Sequence, residues 1–298
     1  MTGPLVFDRH AVRLHRDRAA TGFAAHDFLF REIGDRLVDR LDDVNRRFPR
    51  VLDVGCRTGL LRELLARRPD VETVIGLELS ARMAAAAGRP VVVGDEELLP
   101  FADGSFDLVL SNLALHWTND LPGALVQLRR ALKPDGLLLA AMLGGETLAA
   151  LRTALIEAEL AETGGVRPRV SPVADLRDAG MLLQRAGFEL PVIDGDTLAV
   201  SYPDAAALMR DLRGMGETNA VAERSRVPTR RGVLARAAAG YPRDADGRIT
   251  AGFQVIFLTG WAPHASQPKP LRPGSATARL ADALEAHEIG TGDKAGPR

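Results

Sequence analysis

Between residues 50 and 145, short apolar runs alternate with amphipathic stretches, and this alternation constrains the fold more than any other feature of the chain. Val51-Leu52-Asp53-Val54 is an apolar run closed by Gly55, which reads as a buried strand. "LLRELLARR" follows as a helix, "ETVIGLELS" as a second strand, and "ARMAAAAG" as a short helix stopped by Gly88. "PVVVGD" is a third strand, and "FDLVLSNLALHW" a fourth that runs into a loop. "LPGALVQLRRALKPDG" is a helix ending in a Pro-Asp-Gly turn, and "LLLAAML" a fifth strand. Strands and helices alternating at this spacing predict a Rossmann-like α/β fold, mainly a parallel sheet with crossover helices on both faces.

Outside this repeat the pattern loosens. Residues 9–48 carry helical apolar spacing, clearest in "HDFLFREIGDRLVDRLDDV". "ETLAALRTALIEAELAETGG" is a helix closed by two glycines, and "SPVADLRDAGMLLQRAGF" is another helical stretch. "PVIDGDTLAVSYPDAAALMRDLRGMGETNA" reads as strand, turn and helix, and "RITAGFQVIFLTGWAP" as a late strand. The expected organisation is a helical segment over 1–48, a ligand-binding core over 49–145, and a C-terminal part with cap and acceptor or partner region over 146–265. A tail over 266–298, rich in Pro, Gly, Ser and charge, is expected to be disordered.

Charge and composition remove several function classes. The net charge is −1, without the basic surplus of a general nucleic-acid binder. Cys56 is the single cysteine, so no internal disulfide can form, and a reducing compartment is expected. The longest apolar runs fall well short of the ~20 residues that cross a bilayer. The basic N-terminus has no apolar centre of a secretion signal and reads as a folded or docking helix.

The loop after the first strand, Gly55-Cys56-Arg57-Thr58-Gly59, is where ligand chemistry is expected. Glycine permits the sharp turn from strand to helix and lets a ligand approach the backbone, while the following helix offers free N–H groups. Glu78 ends the second strand 25 residues after Asp53, near the offset of roughly 20 at which an acid takes both ribose hydroxyls of a nucleotide-type ligand. A nicotinamide dinucleotide would favour G-x-G-x-x-G, which this loop lacks. Arg57 stands where a third glycine is usual. At positive φ it would cost on the order of 1 kcal/mol, and its side chain would point either to solvent or over a cofactor carboxylate. Cys56 reads as a small loop residue.

Taken with "VVVGDEELLPFADGSFDLVLSNLALHW" and "LKPDGLLL", this run resembles the class I S-adenosylmethionine-dependent methyltransferases over residues 50–145. The resemblance implies S-adenosylmethionine as cofactor. It places Asp53, Gly55 and Gly59 against the methionine part, Glu78 on the ribose, Asp95 and Glu96 beside the adenine, and Asn112 on the ligand from the fourth strand. No catalytic residue follows from it.

Further segments in order, from "FDRHAVRLHRDRAA" through "AAMLGGETLAALRTAL" and "VSYPDAAALMRDLRGMGETNA" to "SQPKPLRPGSA", resemble the methyltransferase-fold assembly factor of mitochondrial respiratory complex I and its bacterial relatives over residues 6–276. That resemblance implies modification or binding of a protein partner, an iron–sulfur subunit of complex I. The location implied is the bacterial cytoplasm, with room for peripheral contact at the inner membrane, or the mitochondrial matrix in a eukaryote. The absence of an obvious transit peptide fits a bacterial relative. Hydroxylation of an arginine, known for the human member, follows from resemblance alone: none of the six histidines sits in an H-x-D or H-x-E pair of a non-haem iron site, so no metal site is expected. The malonyl carrier-protein O-methyltransferases of biotin synthesis share the "FDR" start and core motifs and imply a carboxylate acceptor. A small-molecule O-methyltransferase and a non-catalytic assembly chaperone of the same fold stand as further alternatives. Two more features stay open here. His116-Trp117 either packs or borders the ligand, and "LRGMGETNA" over 212–220 is either a helix end with a turn or a lid.

Overall fold

The computed structural model describes residues 5–172, 176–268, 282 and 284–286, with side chains undescribed at 176–178. It divides into two units, Met1–Pro263 and His264–Arg298. The expected disorder over 266–298 falls mostly outside the described residues.

The chain begins with helices α1 (Arg9–Ala19) and α2 (Phe28–Asp39), then runs β1 (Arg50–Val54), α3 (Leu60–Leu65), β2 (Thr73–Glu78), α4 (Ala81–Ala86), β3 (Val91–Val93) and β4 (Phe106–Asn112). It continues with α5 (Leu121–Ala131), β5 (Leu132–Leu143), α6 (Ala149–Thr163), α7 (Leu176–Arg185), β6 (Glu189–Tyr202), α8 (Ala205–Met215), α9 (Arg231–Gly240) and β7 (Ile249–Trp261). The strands form one seven-stranded sheet in the order β3-β2-β1-β4-β5-β7-β6. β1 to β5 are parallel, and β7 lies antiparallel between β5 and β6. The five strands expected from the sequence are present, and both late strands join the same sheet. The chain leaves β1 toward β2 and β3, then crosses back to place β4 on the other side of β1. In sheets of this kind ligands bind in a crevice at that reversal, beyond the C-terminal ends of β1 and β4.

Strand residues alternate between two cores because successive side chains point to opposite faces. Val51, Leu108, Leu110, Leu137 and Leu139 pack with Ile33 and Leu37 of α2 and Leu208 of α8 on one face. Leu52, Val54, Val109, Leu138 and Ala140 pack with Leu125 and Leu128 of α5 and Leu183 of α7 on the other. Both faces are covered, which is why the strands read as continuous apolar runs.

Capping residues set the helix ends. Asp8, Ser80, Asp120 and Asp204 accept N-terminal N–H groups of α1, α4, α5 and α8. Gly164 and Gly216 close α6 and α8 in the left-handed region, φ 73° and 77°. The helical spacing over 9–48 resolves into α1, a 3-10 turn at Phe23–Ala25 and α2, with Gly22 at the break. Sequence reasoning missed α9, whose buried side is only Val233 and Ala237, too thin a stripe to give a helical signal.

Candidate functional site

At the end of β1 the chain turns through Gly55 (φ 70°), Arg57 (φ 51°) and Gly59 (φ 89°) into α3. A Cβ at Gly55 would lie 2.2 Å from the Ala114 Cβ, and one at Gly59 would lie 2.6 Å from the Ala87 carbonyl oxygen. Both glycines are therefore required by backbone packing as well as by φ. Gly55→Ala should lower the melting temperature by several degrees and weaken cofactor binding. An unchanged melting temperature would mean that the β4 loop carrying Ala114 can retreat.

Glu78, at the end of β2 and fully buried, gathers this region. It accepts the Arg57 backbone N–H at 3.0 Å, the Ser80 backbone N–H at 2.8 Å and the Arg16 guanidinium at 3.1 Å. Arg16 also donates to Glu96 at 2.7 Å. Arg9, two helical turns earlier on the same face of α1, donates to Asp95 at 2.6 Å, to Glu96, and to the Trp117 carbonyl at 3.1 Å. Thus α1 lays two arginines across the three acids expected at the ends of β2 and β3. Burial opposes the charge on Glu96, but Arg16 and Arg9 hold its pKa at about 2.

Asp53 and Asn112 sit at the adjoining ends of β1 and β4, 1 % and 5 % exposed. Burial, and then the charge of Glu78, push the Asp53 carboxyl up to about 7. Its Oδ1 has no hydrogen-bond partner among the described residues, and neither does the Asn112 Oδ1. The Asn112 amide donates to the Phe30 carbonyl at 2.7 Å. The crevice thus holds ionised acids and unsatisfied acceptors together, an arrangement suited to hydroxyl and ammonium donors.

Arg57 takes neither expected direction. Its side chain is 3 % exposed and turns inward, with the guanidinium 4.8 Å from the Phe30 ring centre. It donates to Glu217 at 2.5 Å and to the carbonyls of Leu113 and Met215 at 3.3 and 3.4 Å. Glu217 also accepts from Trp117 Nε1 at 2.8 Å and pairs with His116 Nε2 at 3.1 Å. The solvent and cofactor-carboxylate readings both fail because a buried carboxylate from a distant segment is the stronger partner. The "GMGETNA" stretch supplies that carboxylate, so it anchors the loop as well as ending α8. Burial opposes ionisation of Glu217, but Arg57 and His116 hold its pKa at about 2. Arg9, Arg16 and Glu217 were not picked out from the sequence. The one available hint was the seven-residue spacing of Arg9 and Arg16.

The depressed carboxylates fix the direction of acid sensitivity. Glu96 and Glu217 fall from 4.5 to about 2 on folding. Their stabilisation is present above pH ~4.5 and lost as pH drops toward ~2. His15 falls from 6.5 to about 4, chiefly through burial. It stays neutral while the unfolded chain charges, so stability already declines from pH ~6.5 to ~4. Asp53 acts oppositely: its raised pKa costs stability as pH rises from ~4 to ~7. Urea midpoints against pH should fall steeply below pH 4.5, and Glu217→Gln should flatten that limb. An unaltered limb in the variant would remove Glu217 from this account.

Beyond Glu217 a cavity of about 600 Å³ opens between α1, α6 and α8. His116, Trp117, Leu143, Met215, Glu217 and Thr218 lie along it. None of the seven residues expected to bind cofactor lines it. Tyr202 does not either: it is buried and paired with Ile249 within the sheet.

Known proteins place this geometry in a family. Residues 52–140 match the model described as a methyltransferase domain. The chain is 43% identical to the arginine-hydroxylase NDUFAF5, mitochondrial, of Danio rerio, over 94% of this chain and 90% of that protein. The chain belongs to the class I S-adenosylmethionine-dependent methyltransferases. Another relative is the malonyl-[acyl-carrier protein] O-methyltransferase of Xylella fastidiosa, 37% identical over 87% of this chain and 89% of that one. The fold is also that of a putative methyltransferase from Bacillus halodurans, with TM-score 0.54 and 18% identity, over 78% of this chain and 99% of that one.

S-adenosylmethionine is the cofactor of this methyltransferase. Of the residues expected to hold it, Asp53 Oδ1 and Asn112 Oδ1 lack partners among the described residues, whereas both Glu78 oxygens already accept from Arg16 and from the Ser80 and Arg57 N–H groups. Arg16 is the internal group that now holds Glu78 and Glu96. No helix among the described residues is long and apolar enough to cross a membrane.

Proposed function

We propose that this methyltransferase holds S-adenosylmethionine in the crevice and modifies, or binds, a protein subunit during respiratory complex I assembly. Glu78 would take the ribose and Asp95 and Glu96 would border the adenine. Asp53, Asn112 and the Gly55–Gly59 turn would surround the methionine part. The cofactor brings an activated methyl group; the chain's own contribution is to position the acceptor and exclude water. The observation that carries this reading is the match to the arginine hydroxylase along nearly the full length of both chains. The iron–sulfur subunit as partner, and a cytoplasmic or matrix location, belong to the proposal and rest on the sequence resemblance over residues 6–276.

A second reading, methyl transfer to a carrier-bound acid, draws on the malonyl carrier-protein relative. A carboxylate acceptor needs no general base, and no base has to be assigned. One experiment separates the two. The purified protein is incubated with S-adenosylmethionine and, in parallel, with the isolated iron–sulfur subunit or with malonyl carrier protein. Intact-mass measurement then looks for an added methyl group. A modified subunit, or its stable capture, supports the first reading, and a methylated carrier replaces it with the second.

A further inference from the structure

We propose that the cavity beside Glu217 is a binding site for an anionic amphiphile: an apolar chain with a carboxylate or phosphate head. This goes beyond the proposed function and does not depend on its partner. The cavity holds about 600 Å³, enough for a chain of several carbons. Its walls include Leu29, Leu148, Leu151, Leu155, Leu212 and Phe253, all at most 8 % exposed. Such walls reward apolar length, about fourfold in affinity for each methylene buried.

The rim has the opposite character. Arg18, Arg213 and Arg226 line the cavity yet reach solvent, and none has an ion-pair partner among the described residues. Two other lining arginines are already engaged, Arg169 with Glu159 and Arg224 with Asp8. Arg18 and Arg213 are close enough that Arg213, adding to partial burial, lowers the Arg18 pKa. Like charges held near each other without a carboxylate between them favour an anion, and a guanidinium meets carboxylate or phosphate in a bidentate fork. The sole acid among the lining residues, Glu217, is committed to Arg57, His116 and Trp117. A cationic head therefore finds repulsion at the rim and no free counter-charge within.

The lining also carries polar atoms. The His116 Nδ1 and the Thr218 Oγ1 are buried without partners among the described residues, and both residues line the cavity. They offer hydrogen bonds to a polar atom within the ligand chain, next to the segment that anchors Arg57.

The test is calorimetric titration of the full chain with dodecanoate, dodecyl phosphate and dodecyltrimethylammonium, each below its micellar concentration. Expected is one site per chain for an anionic probe, with the cationic probe at least tenfold weaker. The stronger of the two anions identifies the head group. The exposed pair Arg18→Ala/Arg213→Ala should weaken anion binding at least tenfold at an unchanged melting temperature. Equal binding of cation and anion, no binding of either anion, or full affinity in the double variant would each overturn the proposal.

Discussion

Glu78→Gln is expected to reduce affinity for S-adenosylmethionine roughly 30- to 150-fold, equivalent to about 2–3 kcal/mol. The size follows from weakening the charge-assisted hydrogen bonds that Glu78 is proposed to accept from the ribose hydroxyls. Glutamine keeps the shape of the side chain, so the contacts from the Ser80 and Arg57 backbone can be kept in part. Arg16 would keep Glu96 as counter-ion, which limits the structural cost. Calorimetric titration of wild type and variant with S-adenosylmethionine reads the effect. Equal affinity would mean that Glu78 serves only Arg16 and the fold of the loop, and the ribose site would have to be sought elsewhere.

The second large effect concerns stability. Arg57→Ala should cost about 3–5 kcal/mol, because Glu217 would stay buried without its principal counter-charge. For a unit of this size that lowers the melting temperature by on the order of 10 °C. Arg57→Gly should be about 1 kcal/mol less harmful than Arg57→Ala, since glycine meets no steric penalty at φ 51°. The double variant Arg57→Ala/Glu217→Gln should lose less than the sum of its parts, as contacting charges do. Thermal unfolding of the wild type, the three single variants and the double variant reads all three statements, and additivity of the two substitutions would show that the pair is not coupled. Arg57→Ala should also loosen the 215–217 segment from the β1 loop, because the guanidinium holds the Leu113 and Met215 carbonyls as well as Glu217.

Much of this could be read along the chain because the relevant physics is local. The strands β1 to β5 were legible, since burial on both faces makes a parallel strand continuously apolar. The helix end at Gly164 was legible, where a left-handed residue is needed, while the one at Gly216 stayed open against a lid. Asp53 and Glu78 could be placed at strand ends by spacing, Asn112 followed from the family resemblance, and the fold brings the ends of β1, β2 and β4 together. α9 was not legible, because two buried residues leave no periodic signal.

Read alone, the chain settled the alternating α/β architecture, the turn at Gly55–Gly59 and the acid at the end of β2. All of these depend on residue type at short spacing. Only the tertiary structure decided which charges meet. Arg16 reaches Glu78 across 62 positions, and Arg57 reaches Glu217 across 160. A buried charge takes whichever opposite charge the packing of distant elements sets beside it, and no local pattern encodes that choice.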